Sequence, residues 1–285
     1  MHHAAIVRWA VIAVCAILFA ITPPTSDAAA QRYLNRVFGY SVTSNVVYGR
    51  VDRAGVMEPL FGDLYKPKND TKQKRPMVVY EHGGLCNGTD KAKPQDVVVV
   101  SDLARRGFVV ISINPRANCT LSEAADDMQA AVRWARANRY SLRIDPTQIV
   151  VLGSSSGGLA AMDATFYPED PGASGHVRYS SKVAAGVAIG AFQVDPSKIE
   201  AGSAPIALIH ARDDTTVPIA TAAATCAETR VLGNVCDFFI HDGGGHPPNF
   251  VMSQHDLIVA EISEFICRNV IGCPNSPPPP GDPVP

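Results

Sequence analysis

The sequence is short of the features that mark several protein classes. Aromatic residues make up 7% and charged residues 18% of its 285 positions, and 25 Lys and Arg against 27 Asp and Glu leave a formal charge of -2. Without an excess of positive charge there is no field to gather phosphates, which excludes a generic nucleic-acid binder. No internal repeat is visible, so the chain is not collagen-like. No apolar run approaches the about 20 residues that a membrane-spanning helix needs, so no stable membrane insertion is expected. The hydrophobic content of 46% is ample for a packed core and excludes a disordered chain.

The longest apolar run, Trp9 to Ile21, follows Arg8 and is closed by Pro23, Pro24 and the small residues Ala28, Ala29 and Ala30. That pattern reads as an export signal over 1–30, with Gln31 as the new N-terminus and an extracellular or periplasmic destination. Cys15 leaves with the signal, and six cysteines remain at Cys86, Cys119, Cys226, Cys236, Cys267 and Cys273. An even set in an exported chain suggests disulfides. Joining neighbours along the chain pairs Cys86 with Cys119, Cys226 with Cys236 and Cys267 with Cys273. Residues 31–273 lie near the ceiling for one hydrophobic core, so by length one large domain is as plausible as two small ones, and a single catalytic domain over 31–273 is expected. Residues 274–285 form a proline-rich tail that favours an extended, unpacked chain.

Within the domain, apolar runs occupy Met77–Tyr80, Phe108–Ile113, Ile149–Leu152, Val183–Ile189, Ile206–Ile209 and Phe238–Ile240. Runs apolar at consecutive positions suit strands covered on both faces. Upstream, Val42–Val51 and Gly62–Tyr65 read as antiparallel strands. Thr120 and Glu123 have capping-box spacing, and Leu121, Ala124, Ala125, Met128, Ala131, Val132 and Ala135 continue at helical spacing. A second helix closes at Gly107, although the β-branched Val97–Val100 is equally compatible with a strand. Val251, Leu257, Ile258, Ile262, Phe265 and Ile266 mark a final helix. Strands alternating with helices predict an α/β fold with a doubly wound, mostly parallel sheet flanked by helices. Such sheets place their chemistry just beyond the carboxyl ends of the strands.

Three segments at such ends carry nucleophile, acid and base. After Ile149–Leu152 comes Gly153-Ser154-Ser155-Ser156-Gly157-Gly158, a G-x-S-x-G sequence at a strand-to-helix turn, which makes Ser155 the candidate nucleophile. A serine hydroxyl needs a base, and the base needs a carboxylate to orient it. His210-Ala211-Arg212-Asp213-Asp214-Thr215-Thr216-Val217-Pro218 and His241-Asp242-Gly243-Gly244-Gly245-His246 follow two further strands. The order Ser155, Asp214, His246 is that of a nucleophile-elbow hydrolase. His241, Asp242 and His246 lack the further ligands of a metal site, so no metal and no cofactor are expected. His176, His210 and His255 read as structural. Asn69, Asn87 and Asn118 begin N-x-S/T sequons.

In these segments, and in Glu81-His82-Gly83-Gly84-Leu85-Cys86, the chain resembles an α/β-hydrolase of the secreted carboxylesterase and lipase type. The resemblance follows element order over most of 40–270, while the specific motifs cover under thirty residues. In the family's H-G-x-x-D-x-x-V-P acid loop the second aspartate aligns, which selects Asp214 and leaves Asp213 to cap the turn. His246 is preferred as base to His241 because it lies in the glycine-rich loop. The likeness to the family's His-Gly-Gly-Gly loop implies oxyanion donors at Gly84 and Leu85 beside Ser156, with Leu85 standing for the third glycine. His82 then pins the turn through its ring.

The implied activity is hydrolysis of carboxylic esters, small or polymeric, through an acyl-enzyme. Tyr167–Lys182 is too short for a large cap domain, so an open site is expected. The alternatives are a peptidase of the same fold, whose relatives usually carry a propeller for which this length leaves no room, and a binding protein that retains the fold without turnover.

Overall fold

The structure, a computed structural model, describes residues 32–84, 86–87, 90–168 and 172–273. The expected signal 1–30, the tail 274–285 and Leu85 fall outside them. The chain opens with a long antiparallel hairpin, β1 (Tyr40–Arg53) and β2 (Val56–Pro67). It then alternates: β3 (Arg75–Glu81), α1 (Pro94–Arg105), β4 (Val109–Ile113), α2 (Leu121–Ala137), β5 (Ile144–Ser154), α3 (Ser156–Phe166), β6 (Ala185–Ile189), β7 (Ile206–Ala211), α4 (Ile219–Val231), β8 (Cys236–His241) and α5 (Asn249–Ile266).

The eight strands form one sheet in the order β1-β2-β4-β3-β5-β6-β7-β8. β2 is antiparallel to β1 and β4, and β4 to β8 run parallel with β3 among them. The consecutive apolar runs are explained by cover on both faces. Every residue of β3, β4, β6 and β7 is buried. Val78, Tyr80, Val110, Ala207 and Ile209 pack under α1 and α5, while Met77, Val79, Ile111 and Val151 pack under α2 and α3. Leu208 and Phe238 meet α3 and α4 through Met162, Ala222 and Cys226. Burying each such Val, Leu, Ile or Phe stabilises the fold by about 1.5–3 kcal/mol.

The helices begin and end where local chemistry directs. At α2 the Glu123 N–H donates to Thr120 Oγ1 at 3.2 Å, and the Thr120 N–H to Glu123 Oε2 at 2.8 Å, which completes the capping box. The ambiguity over Val97–Val100 resolves to helix. Pro94 supplies a preset first turn, and Gly107 at φ 106° ends the element. Between them Val99, Val100, Leu103 and Ala104 are fully buried at helical spacing. The gain from packing that stripe overrides the weak preference of valine for strands. One expectation for α5 fails: Leu257 is 51% exposed, because the buried stripe passes through Ile258, Ile262, Phe265 and Ile266 instead.

The chain leaves β3 toward β4 on one side and returns to β5 on the other. The crevice between the carboxyl ends of β3 and β5 is therefore the switch point where ligands bind in open α/β sheets.

Candidate active site

Ser155 stands on the turn from β5 into α3 with φ 51° and ψ -124°, a conformation that non-glycine residues avoid. The turn is tight enough to dictate its neighbours. A Cβ on Gly153 would lie 2.0 Å from the Gly157 carbonyl oxygen, and one on Gly157 would lie 2.3 Å from that of Glu81. The Ser155 N–H donates to the Ile189 carbonyl at 2.8 Å, which ties the elbow to β6.

Asp214 lies in the loop after β7 and is buried. Its Oδ1 accepts from the N–H groups of Thr216 at 2.8 Å and Val217 at 2.9 Å, and its Oδ2 lies 2.7 Å from His246 Nδ1. Burial pushes its carboxyl up, but the Val217 N–H, the His246 ring and the Thr216 N–H together bring it below the ordinary aspartate range. An ionised carboxylate only accepts, so His246 Nδ1 carries the proton. Nε2 is then free to accept from the Ser155 hydroxyl, whose Oγ is 2.7 Å away. Three residues separated by 59 and 32 positions thus form one hydrogen-bonded chain.

Asp213 does something other than cap its own turn, because Asp214 already does so. Its carboxylate reaches across to the loop after β8 and accepts from Gly245 N–H at 2.8 Å and Gly244 N–H at 3.3 Å. The two adjacent aspartates therefore hold opposite ends of the same arrangement, one the imidazole and the other the loop that presents it. His210 supports this loop from the strand: its Nε2–H donates to the Val217 carbonyl at 2.9 Å, and burial lowers its pKa, which keeps the ring neutral. His241 is turned away, with Nε2 3.0 Å from Glu261 Oε2 and its ring edge-on to Phe250.

Across the crevice, His82 fixes the loop after β3. Its Nδ1 is 2.9 Å from the Gly83 carbonyl and its Nε2 is 3.1 Å from Asn114 Oδ1, which also accepts from the Lys91 N–H at 2.7 Å. The Gly84 N–H donates to Ser156 Oγ at 2.9 Å, fastening this loop to the elbow. The Asn118 N–H donates to the Cys86 carbonyl at 3.0 Å, and the Cα atoms of Cys86 and Cys119 are 5.5 Å apart. Cys226 with Cys236 and Cys267 with Cys273 also stand at disulfide-compatible Cα separations of 5.5 and 5.3 Å.

A cavity of about 350 Å³ opens at Ser155 and His246. Gly83, Gly84, Ser154 and Thr216 flank the pair, Lys93, Gln95 and Asp96 line a polar side, and Pro247, Pro248 and Val251 line an apolar one. A larger groove of about 850 Å³, lined by Phe166, Lys182, Ala184 and Pro205, lies at the amino ends of β6 and β7, away from these groups. The segment after α3 packs on the flank: Arg50 N–H donates to the Ser174 carbonyl at 3.0 Å and Arg133 Nε to that of Gly175 at 2.8 Å. Among the described residues no group of three His, Cys, Asp or Glu side chains is arranged to hold a metal, and no helix is long and apolar enough to cross a membrane.

Asn114, Asp96 and Tyr80 join this region without a motif to announce them. Asn114 does follow an apolar strand directly, the position where site residues gather.

The architecture is that of the α/β-hydrolases. The BD-FAE family model matches residues 62–189, from β2 to the end of β6. Among solved structures, a thermophilic esterase from Thermogutta terrifontis superposes with a TM-score of 0.68 at 23% identity, covering 84% of this chain and 95% of that one. That esterase is also known with propionate and with butyrate bound. A truncated carbohydrate esterase from gut microbiota superposes with a TM-score of 0.68 at 20% identity, over 82% of this chain and 98% of that one. Esterase LipC of Mycobacterium tuberculosis is 29% identical over 153 residues, 53% of this chain. Esterase-5C of Drosophila miranda is 25% identical over 158 residues, also 53%. A non-reducing polyketide synthase of Emericella nidulans is 31% identical over 138 residues. The chain spans only a part of these curated relatives: 34%, 27% and 5% of their lengths respectively.

Proposed function

We propose that the protein is a serine hydrolase that cleaves carboxylic esters through Ser155, His246 and Asp214. The observation that carries this reading is the continuous hydrogen-bonded chain from Ser155 Oγ through His246 to Asp214, at 2.7 Å on each side of the ring. His246 Nε2 takes the hydroxyl proton as Oγ attacks the ester carbonyl, Asp214 stabilises the imidazolium, and the proton passes on to the departing alkoxide. Water then attacks the acyl-enzyme by the same route and releases the acid.

The tetrahedral oxyanion is held by the backbone N–H groups of Ser156 and Leu85, joined by that of Gly84, which at rest donates to Ser156 Oγ. His82 holds the turn and takes no proton. Short acyl esters suit a cavity of about 350 Å³, as do the propionate and butyrate held by the Thermogutta enzyme. With Ser174 and Gly175 packed on the flank, the site is open enough for esters on larger polymers. The apolar run at 9–21, the alanines at 28–30 and the three cysteine pairs support export to an oxidising compartment, with the active domain within 31–273.

The test is Ser155→Ala in p-nitrophenyl acetate and butyrate hydrolysis, together with fluorophosphonate labelling of the wild type. Turnover should fall to near background and the label should sit on Ser155. Undiminished turnover in the variant would overturn the assignment.

A further inference from the structure

We propose that Lys93 determines specificity at this site by pairing with a carboxylate on the substrate, so that the preferred esters carry one free carboxylate in the portion lodged beside Ser155. This names a substrate class for the hydrolase reading above and rests on that reading.

Lys93 immediately precedes α1, is half-buried and lines the cavity that opens at Ser155 and His246. The acids around it are engaged elsewhere. Asp90 accepts from the Ala92 N–H at 3.1 Å and lies 3.7 Å from Lys91 Nζ, while Asp63 lies 3.4 Å from the same ammonium. Asp96 accepts the Tyr80 hydroxyl at 2.5 Å, and burial raises its pKa toward the neutral acid, with Lys93 acting on it only from beyond ion-pair distance. Asp214 is held by His246 and two backbone N–H groups. Among the described residues the Lys93 ammonium has neither an ion pair nor a hydrogen bond. The cavity beside the nucleophile therefore carries a positive charge that no acid of its wall cancels. A substrate anion gains from that charge and a cation loses.

The chemistry of that anion is narrow. A lysine is a single point charge with donors only, so it matches one negative charge on a group that only accepts. A carboxylate carries that one charge at neutral pH, whereas a phosphate monoester carries closer to two. Gln95 lines the same polar side, and its amide, which also has no partner among the described residues, adds N–H donors that suit a carboxylate. Pro247, Pro248 and Val251 line the cavity with hydrocarbon. A half-ester of a dicarboxylic acid, or an ester of a hydroxy acid, joins a carboxylate to a short hydrocarbon in that combination.

The experiment compares matched esters near neutral pH by pH-stat. One arm sets monoethyl glutarate against ethyl pentanoate, in which a methyl group replaces the carboxylate on the acyl side. The other sets 3-(butyryloxy)propanoate against propyl butyrate, which makes the same exchange on the alcohol side. At low ionic strength the wild-type kcat/KM in one arm should favour the carboxylate ester by about fivefold, the size expected of a partly exposed ion pair. In about 0.5 M NaCl, which screens charges more than a few ångströms apart, the preference should shrink to within about twofold. In Lys93→Glu it should reverse, and in Lys93→Arg it should persist. Ratios at or below unity in both wild-type arms would overturn the proposal without reference to any variant. So would a preference that Lys93→Glu leaves intact. Either result spares the hydrolase reading as long as fluorophosphonate labels Ser155 and the neutral esters turn over. If there is neither label nor turnover, that reading itself falls and takes this one with it.

Discussion

The carboxyl ends of β7 and β3 each bury an acid, and the two are treated in opposite ways. Asp214 accepts two backbone N–H bonds and one from His246, and its pKa is lowered in spite of burial. Glu81 is 2% exposed, its Oε2 has no hydrogen-bond partner among the described residues, it faces the charge of Asp127, and burial drives its pKa well above the ordinary value. The difference teaches that depth alone does not decide the charge of a carboxyl group. Donors aimed at it do, and a loop just past a strand end can offer several backbone N–H groups where the strand has spent its own on the sheet.

The sharpest way to break this contrast is to neutralise each acid. Asp214→Asn removes the charge that orients His246, and p-nitrophenyl butyrate turnover should fall by about 10⁴-fold, whereas Glu81→Gln should stay within about threefold of wild type. A fall of equal size in both would erase the functional distinction. Next in size, Ser156→Ala removes the acceptor that fastens Gly84, and kcat should drop about tenfold with KM little changed, as read from steady-state kinetics.

Stability against pH gives the third comparison. Glu81 has a raised folded pKa, so its contribution is complete below the ordinary carboxylate range and is lost as pH rises toward that folded value. Asp214 has a depressed one, so its contribution is present above the ordinary range and is lost as pH falls through the folded value. Thermal melts of Glu81→Gln should therefore match wild type near pH 4 and exceed it by about 2–4 °C near pH 8. An advantage confined to acid would reverse the assignment. The smallest effect is expected from Asp213→Asn, which keeps one acceptor for Gly245 and should cost less than about tenfold in turnover. A larger loss would make Asp213 the orienting acid.

The sequence was most legible where backbone sterics demand particular residues. Gly153 and Gly157 are required by contacts that a methyl group could not share, so G-x-S-x-G marks the elbow by its own chemistry. The acid and base loops were legible because they follow unbroken apolar strands. Side-chain contacts between strand ends were not. The two bonds from Asp213 cross to a loop more than thirty residues away, and nothing in the spacing distinguishes them from a local cap. Tyr80 likewise meets Asp96, and His82 meets Asn114, only because β3 is adjacent in space to α1 and to the end of β4. Val97–Val100 shows the complementary failure, since a residue preference worth tenths of a kcal/mol yields to a buried stripe worth several.

The pairing proposed for Cys86 and Cys119 would also govern how the protein comes apart. Cys86 and Cys119 are 33 residues apart and enclose the whole α1–β4 unit. Once they are joined, a protease that cuts at the exposed approach to α1 severs the backbone but releases nothing, because both pieces stay threaded on the same sulfur bridge. The nick becomes visible only when a thiol is added, and a gel run without reductant would count the damaged chain as whole.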